Sequence, residues 1–177
     1  MAIISGIIRK LFGLRKEMSI GFYSSDFLFR KILRQNSGVK WAVHHTATIH
    51  CPEKLTIGKG TFPGDSPGVY IDATNGIAIG DYTNIGPNVG IISSGHDFID
   101  NNEALHAPPI KIGSFCWLGM GATVLPGRQL GNFTIVGAGA IVTKNFEEGY
   151  CVIAGNPAKV IKHLNKSACE AFAASKK

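Results

Sequence analysis

A mainly β solenoid of stacked parallel strands is the fold class that the sequence predicts, and three observations predict it. Aliphatic residues recur at every sixth position through Ile112, Leu118, Val124, Leu130, Val136 and Val142. Glycine is abundant, at 22 of 177 residues, while charged residues make up only 17%, too few for a long charged helix or a disordered tail. The beat of six breaks once, over a stretch with no period of its own.

The beat is not accidental. With aliphatics near a third of a chain, six hits in a fixed register arise by chance about once in 700. Glycine follows four of the six, at Gly113, Gly119, Gly131 and Gly137, and an earlier run, Ile79, Ile85 and Ile91, keeps the same step with Gly80 and Gly86 behind it. Neither a helix of period 3.6 nor a strand of period 2 places one aliphatic at every sixth residue. Short strands joined by corners do: three sides close a triangular coil of about eighteen residues, with strands stacked roughly 4.8 Å apart. The aliphatic then points inward, and the glycine is expected to supply corner dihedrals that a Cβ would resist.

From the N-terminus onward, residues 1–45 lack the beat. Gly6 to Lys16 and Phe27 to Arg34 mix apolar and basic residues at helical spacing, which predicts a helical cap. Residues 46–157 form the solenoid, with Ile49, Leu55 and Ile57 in an irregular first coil. Ile91 to Ile112 spans twenty-one residues, three more than one coil, so residues 97–109 are expected to loop out of the solenoid. Residues 158–177 are read as a C-terminal helix covering the open end of the stacked strands.

The formal charge of +6 sits at one end. Residues 1–40 hold eight basic and two acidic side chains, whereas the remainder holds ten of each, which argues against a nucleic-acid surface on the main body. Ile3, Ile4, Ile7, Ile8, Leu11, Phe12 and Leu14, interspersed with Arg9, Lys10, Arg15 and Lys16, give residues 1–16 the pattern of a helix that can lie on an anionic membrane. Cys51, Cys116, Cys151 and Cys169 show no C-x-x-C pair, which predicts reduced, mostly packed thiols. No apolar run reaches the ~18 residues of a span, and the N-terminal isoleucines precede the charges, unlike a secretory signal. A cytoplasmic protein is expected, peripheral at the membrane if residues 1–16 engage lipid.

The segment Ile79 to Leu164 resembles the hexapeptide-repeat acyltransferases, the family of maltose, galactoside and capsular-sugar O-acetyltransferases. The resemblance rests on IGDYTNIGPNVGI, SSGHDF, APPIKIGSFCWLGMGATVLPG, IVGAGAIVTKNF and VIAGNPAKVIKHL, in that order. It implies a left-handed parallel β-helix, a hand that periodicity alone does not choose. It also implies an acetyl-CoA-dependent O-acetyltransferase that acts on a sugar or glycan hydroxyl and assembles as a homotrimer, with no metal.

His96 ends one hexapeptide and opens the loop, so a rigid scaffold fixes a group that still faces solvent. An imidazole, titrating near ~6.5, suits the removal of an acceptor hydroxyl's proton, and the matching histidine of the family is the catalytic base. The same resemblance implies an oxyanion-binding amide at Met120 or Gly119, Trp117 lining the cleft, and CoA contacts from Ala138, Thr143, Lys144, Lys159 and Lys162. Tyr70, Asp72 and His106 are candidates for the acceptor, with Asp65 a further one. His44, His45, His50 and His163 are read as surface or capping residues.

Two rival functions remain at this level. A β-helix carbonic anhydrase would hold zinc on three histidines, whereas His96 stands alone on the repeat. A non-catalytic solenoid that binds a partner would bind no CoA.

Overall fold

The computed structural model describes residues 14–176. A helical segment comes first: α1 (Ile20–Asp26) runs into a π-helical turn, Phe27–Ile32. Ser19 caps α1, its side chain accepting from the Phe22 amide at 3.0 Å. Helix was thus found across and ahead of Phe27, while Gly6 to Gly13 of the first expected helix lie outside the described residues and residues 14–16 are not helical.

Fourteen short strands follow among the described residues. β1 (Thr48–His50), β3 (Tyr70–Asp72), β6 (Gly90–Ile92), β9 (Thr123–Val124) and β12 (Ile141–Val142) stack as a first face. β2 (Leu55–Ile57), β4 (Ile77–Ile79), β7 (Ile110–Ile112) and β10 (Gln129–Leu130) make a second. β5 (Asn84–Ile85), β8 (Trp117–Leu118), β11 (Thr134–Val136), β13 (Cys151–Ala154) and β14 (Lys159–His163) make a third. From β3 to β12 the chain visits the faces in rotation, so each full turn there adds one parallel strand to each sheet.

The registers explain the period. Ile71 pairs with Ile91, Ile91 with Val124 and Val124 with Val142 on the first face. Ile79, Ile112 and Leu130 align on the second, and Ile85, Leu118, Val136 and Ile153 on the third. All are buried, and together they form one continuous core. One inward side chain per side of the triangle is what a step of six encodes.

The glycines follow a different logic from the corner dihedrals expected of them. Gly80, Gly113, Gly119, Gly131 and Gly137 do not have positive φ; the left-handed position falls two residues later, at Tyr82, Phe115, Gly121, Phe133 and Gly139. What the repeat glycine provides is room. A Cβ on Gly113 would lie 2.6 Å from the Asn132 amide nitrogen and 2.6 Å from the Gly131 carbonyl carbon, so the next coil's backbone already occupies that space.

Four of the left-handed residues between the second and third faces are aromatic. Tyr82, Phe115, Phe133 and Tyr150 stack from coil to coil, the central pair at 4.9 Å. α2 (Lys166–Ala174) lies against this column, with Phe172 edge-on to Phe115 and the Tyr82 hydroxyl donating to the Lys176 carbonyl at 3.1 Å.

The expected helix over 158–177 is therefore corrected. Its first part is β14, antiparallel to β13, and helix begins at Lys166 behind the Asn165 cap. The outer edge of β13 would otherwise leave amides and carbonyls unpaired, and the β-branched Val160 and Ile161 favour the extended form that pairs them. β14, not the helix, closes the third face, and α2 covers a corner.

At the other end, a buried ion pair fastens the helical segment. Arg30 donates to both carboxylate oxygens of Asp26, at 2.7 and 2.6 Å, and to the Val39 carbonyl at 3.0 Å. Asp26 also accepts from the Val43 amide at 3.0 Å. Hydrogen bonding to Asp26 outweighs burial and holds the guanidinium above its ordinary pKa. His45 stacks on Phe29 and on His44, and burial together with His45 pulls the His44 pKa down. No helix among the described residues is long and apolar enough to cross a membrane.

Candidate active site

The predicted residues fall into two groups on opposite edges of the first face. One group occupies the corner between the first and second faces. There the chain leaves the coil after the buried Ser93 and rejoins it at Ile110, and the intervening residues fold as a short hairpin. His96 pairs antiparallel with Ala104, Leu105 donates to the Gly95 carbonyl at 2.9 Å, and Asp97 donates to the Glu103 carbonyl at 2.9 Å. Asp97 tightens the tip by accepting from the amides of Ile99 and Asp100, bonds that hold its carboxyl below its usual pKa. His96 and His106 are exposed, and at the tip Phe98 is 97% exposed.

Beneath the hairpin lies a polar cluster from the preceding coil. Asp72 is buried, which works against its charge, but hydrogen bonds from Ser94 Oγ and from the hydroxyl and amide of Thr74, with His50 nearby, hold its carboxyl below the ordinary range. Tyr70 stands outward on the first face, with its ring edge-to-face with His50 at 5.6 Å. Thr143 and Lys144 lie on the same corner two coils further on, Lys144 over the Phe146 ring.

The second group lies on the corner between the third and first faces. Met120 is 59% exposed, and its carbonyl accepts from Gly139, which seats Ala138 directly above it. Gly119 and Met120 differ in one decisive respect. The Gly119 amide is bonded to the Val136 carbonyl at 2.7 Å, whereas the Met120 amide makes no hydrogen bond to another described residue. Trp117, 52% exposed, stands on the adjoining third face in a column with Ile135, Val152 and Lys162. At roughly 4.8 Å per strand, Lys162 lies about 14 Å from Trp117. Lys159, opposite Ala154, ends the corner nearer Ala138.

Asp65 lies elsewhere, paired with Arg15 at 2.9 Å beside a cavity of about 540 Å³ that Phe62 and Tyr82 also line. Among the described residues, no three His, Cys, Asp or Glu side chains are grouped to hold a metal. Sequence reasoning missed Asn75, Thr74 and Ser94. The Asn75–Gly76 dipeptide is a turn signal that could have marked the first of them, but nothing local reveals a partner thirty residues away.

Coils of this step, these registers and this interrupted corner define a hexapeptide-repeat fold, and the relatives that the chain resembles support the hexapeptide-repeat acyltransferases as its family. No family model matches it. It is similar to WcaF of Escherichia coli K12, assigned to colanic acid biosynthesis as an acetyltransferase: 33% identity over 90 residues, 51% of this chain and 48% of that one. The chain thus spans about half the length of the curated relatives it matches. Among solved structures it is similar to a maltose O-acetyltransferase from Clostridium difficile, at 30% identity over 67% of this chain and 65% of the other, with a TM-score of 0.60. It also shares the fold of a galactoside acetyltransferase in complex with coenzyme A, at 23% identity over 86% of each chain, with a TM-score of 0.61.

Proposed function

We propose that the protein is an acetyl-CoA-dependent O-acetyltransferase acting on a sugar or glycan hydroxyl, built on a left-handed coil and working as a homotrimer. The observation that carries this reading is the division of the site. His96 projects from one edge of the first face, and an unpaired amide at Met120, flanked by Trp117 and Ala138, sits on the other. A second copy placing its Met120 corner against the His96 hairpin completes the constellation between subunits.

The chemistry follows from those groups. His96 takes the proton of the acceptor hydroxyl as its oxygen attacks the thioester carbonyl. The oxyanion forms against the Met120 N–H, a donor of the kind worth about 2.7–4 kcal/mol to a transition state. The C–S bond then breaks, and the departing thiolate receives the proton from the imidazolium. Ala138 leaves space for the pantetheine arm, and Thr143, Lys144, Lys159 and Lys162 offer polar and cationic contacts to CoA. Tyr70, Asp72 and His106 bound the acceptor side; the exposed Tyr70 ring suits the C–H face of a sugar. Contact of residues 1–16 with an anionic leaflet rests on their charge pattern, since residues 1–13 lie outside the described residues.

Release of free thiol from acetyl-CoA, measured across sugars, nucleotide sugars and polysaccharide fragments, tests the reading. A sugar acceptor should support turnover, and His96→Ala should lower it ~10²- to 10⁴-fold while CoA binding persists. Near-normal turnover by folded His96→Ala, or a strictly monomeric active enzyme by light scattering, overturns it.

A further inference from the structure

Asn75 sits on the corner between β3 and β4 and reaches across to the excursion. Its backbone N–H donates to Ser93 Oγ at 2.9 Å. Its carboxamide nitrogen donates to two carbonyls, that of Ser93 at 2.9 Å and that of Leu105 at 2.9 Å. Carbonyl oxygens only accept, so the nitrogen must face them, and both its hydrogens are used. Ser93 is the last buried residue before the chain departs, and Leu105 lies on the returning limb.

One side chain of the preceding coil therefore ties the outgoing and returning limbs together at the base of the hairpin. His96 lies just beyond the tie, one residue from Gly95, whose carbonyl accepts from Leu105, and opposite Ala104. The His96 ring makes no hydrogen bond to another described residue, so its place is set by its backbone. That backbone is set by the hairpin, and the hairpin's base by Asn75.

We infer that Asn75 is the positioning residue for His96, fixing the general base by clamping both limbs of the excursion. The inference rests on the reading of His96 as the base. Two variants separate the clamp from bulk: Asn75→Ala removes the donors, and Asn75→Asp keeps the shape but turns carboxylate oxygen against two carbonyls. For both, kcat should fall roughly 10²-fold, as for a base displaced by about 1 Å, while the KM for acetyl-CoA stays within about twofold. In a His96→Ala background, Asn75→Ala should cost less than about twofold more, because groups that act as a unit are not additive.

Hydrogen exchange gives a readout independent of turnover. The amides of Asp97 and Leu105 should lose protection in both variants while those of Gly113 and Gly131, in the coils, keep theirs. Unchanged protection at Asp97 and Leu105, additive losses in the double variant, or loss of protection throughout the coils would each overturn the inference. Absence of thiol release from the wild-type protein with every acceptor would instead sink the proposed reaction, and exchange at Asp97 and Leu105 would still decide whether Asn75 is the clamp.

Discussion

Gly113→Ala and Gly139→Ala look alike in sequence but should behave differently. At Gly113 the new methyl would sit 2.6 Å from two backbone atoms of the next coil, about 0.8 Å inside the 3.4 Å at which ordinary contact begins. Neither atom belongs to a flexible side chain, so the coils must part locally. That strains the Gly113 amide's bond to the Leu130 carbonyl and the Ser114 amide's bond to Asn132 Oδ1, both 2.8 Å. Overpacking at about 1–3 kcal/mol and two hydrogen bonds at about 1 kcal/mol each give a loss of roughly 3–5 kcal/mol. At Gly139, φ is +66° but a Cβ would meet nothing within 4 Å. The left-handed conformation costs alanine about 1–2 kcal/mol, and the stiffer unfolded chain returns about 0.4–1, leaving roughly 1 kcal/mol. Urea unfolding followed by far-UV circular dichroism, at matched protomer concentration, compares them. If Gly139→Ala proves as damaging as Gly113→Ala, dihedral strain governs the repeat and the close-approach argument fails.

Two further perturbations probe the ends and the core. Asp26→Ala leaves Arg30 buried without its carboxylate and deprives the Val43 amide of its acceptor, so stability should drop by about 3–5 kcal/mol in urea unfolding; a loss below about 1 kcal/mol would mean the pair is dispensable. Burial pushes the Cys116 thiol up from 9.0 to about 11, so above pH 9 the unfolded chain ionises first and stability is lost as pH rises towards 11. Wild type should lose more unfolding free energy than Cys116→Ala between pH 8 and pH 10.5, because only wild type carries the shifted thiol; parallel profiles would refute the assignment.

The coils were legible because each repeat buries one aliphatic in a fixed register, a constraint that prints itself on neighbouring residues. Ile79, Ile85, Ile91, Ile112 and the rest of the series were found buried where the beat put them. The excursion was legible by default, as the place where the beat fails. What the glycines do was misread, because a close approach between coils and a positive φ both call for the same residue type. β14 was hidden because Lys159 to His163 has neither a strict period of 2 nor a partner that local sequence reveals; the open edge of β13 created the demand. The clamp at Asn75 was hidden for the same reason, since its partners lie 18 and 30 residues away. His96 could be singled out by its position at the break, whereas the choice between the Gly119 and Met120 amides required knowing which one the ladder had already taken.

The excursion leaves and returns at one corner, and the ladders on either side, Ile91 with Val124 and Ile77 with Ile110, continue as though it were not there. To the folding of the coils it is an appendix whose length costs only slowly growing closure entropy. The scaffold therefore behaves as a fixed chassis with an exchangeable head. Residues 97–109 can be lengthened, shortened or rewritten without re-solving the packing beneath, provided that the two carbonyls held by Asn75 stay within its reach.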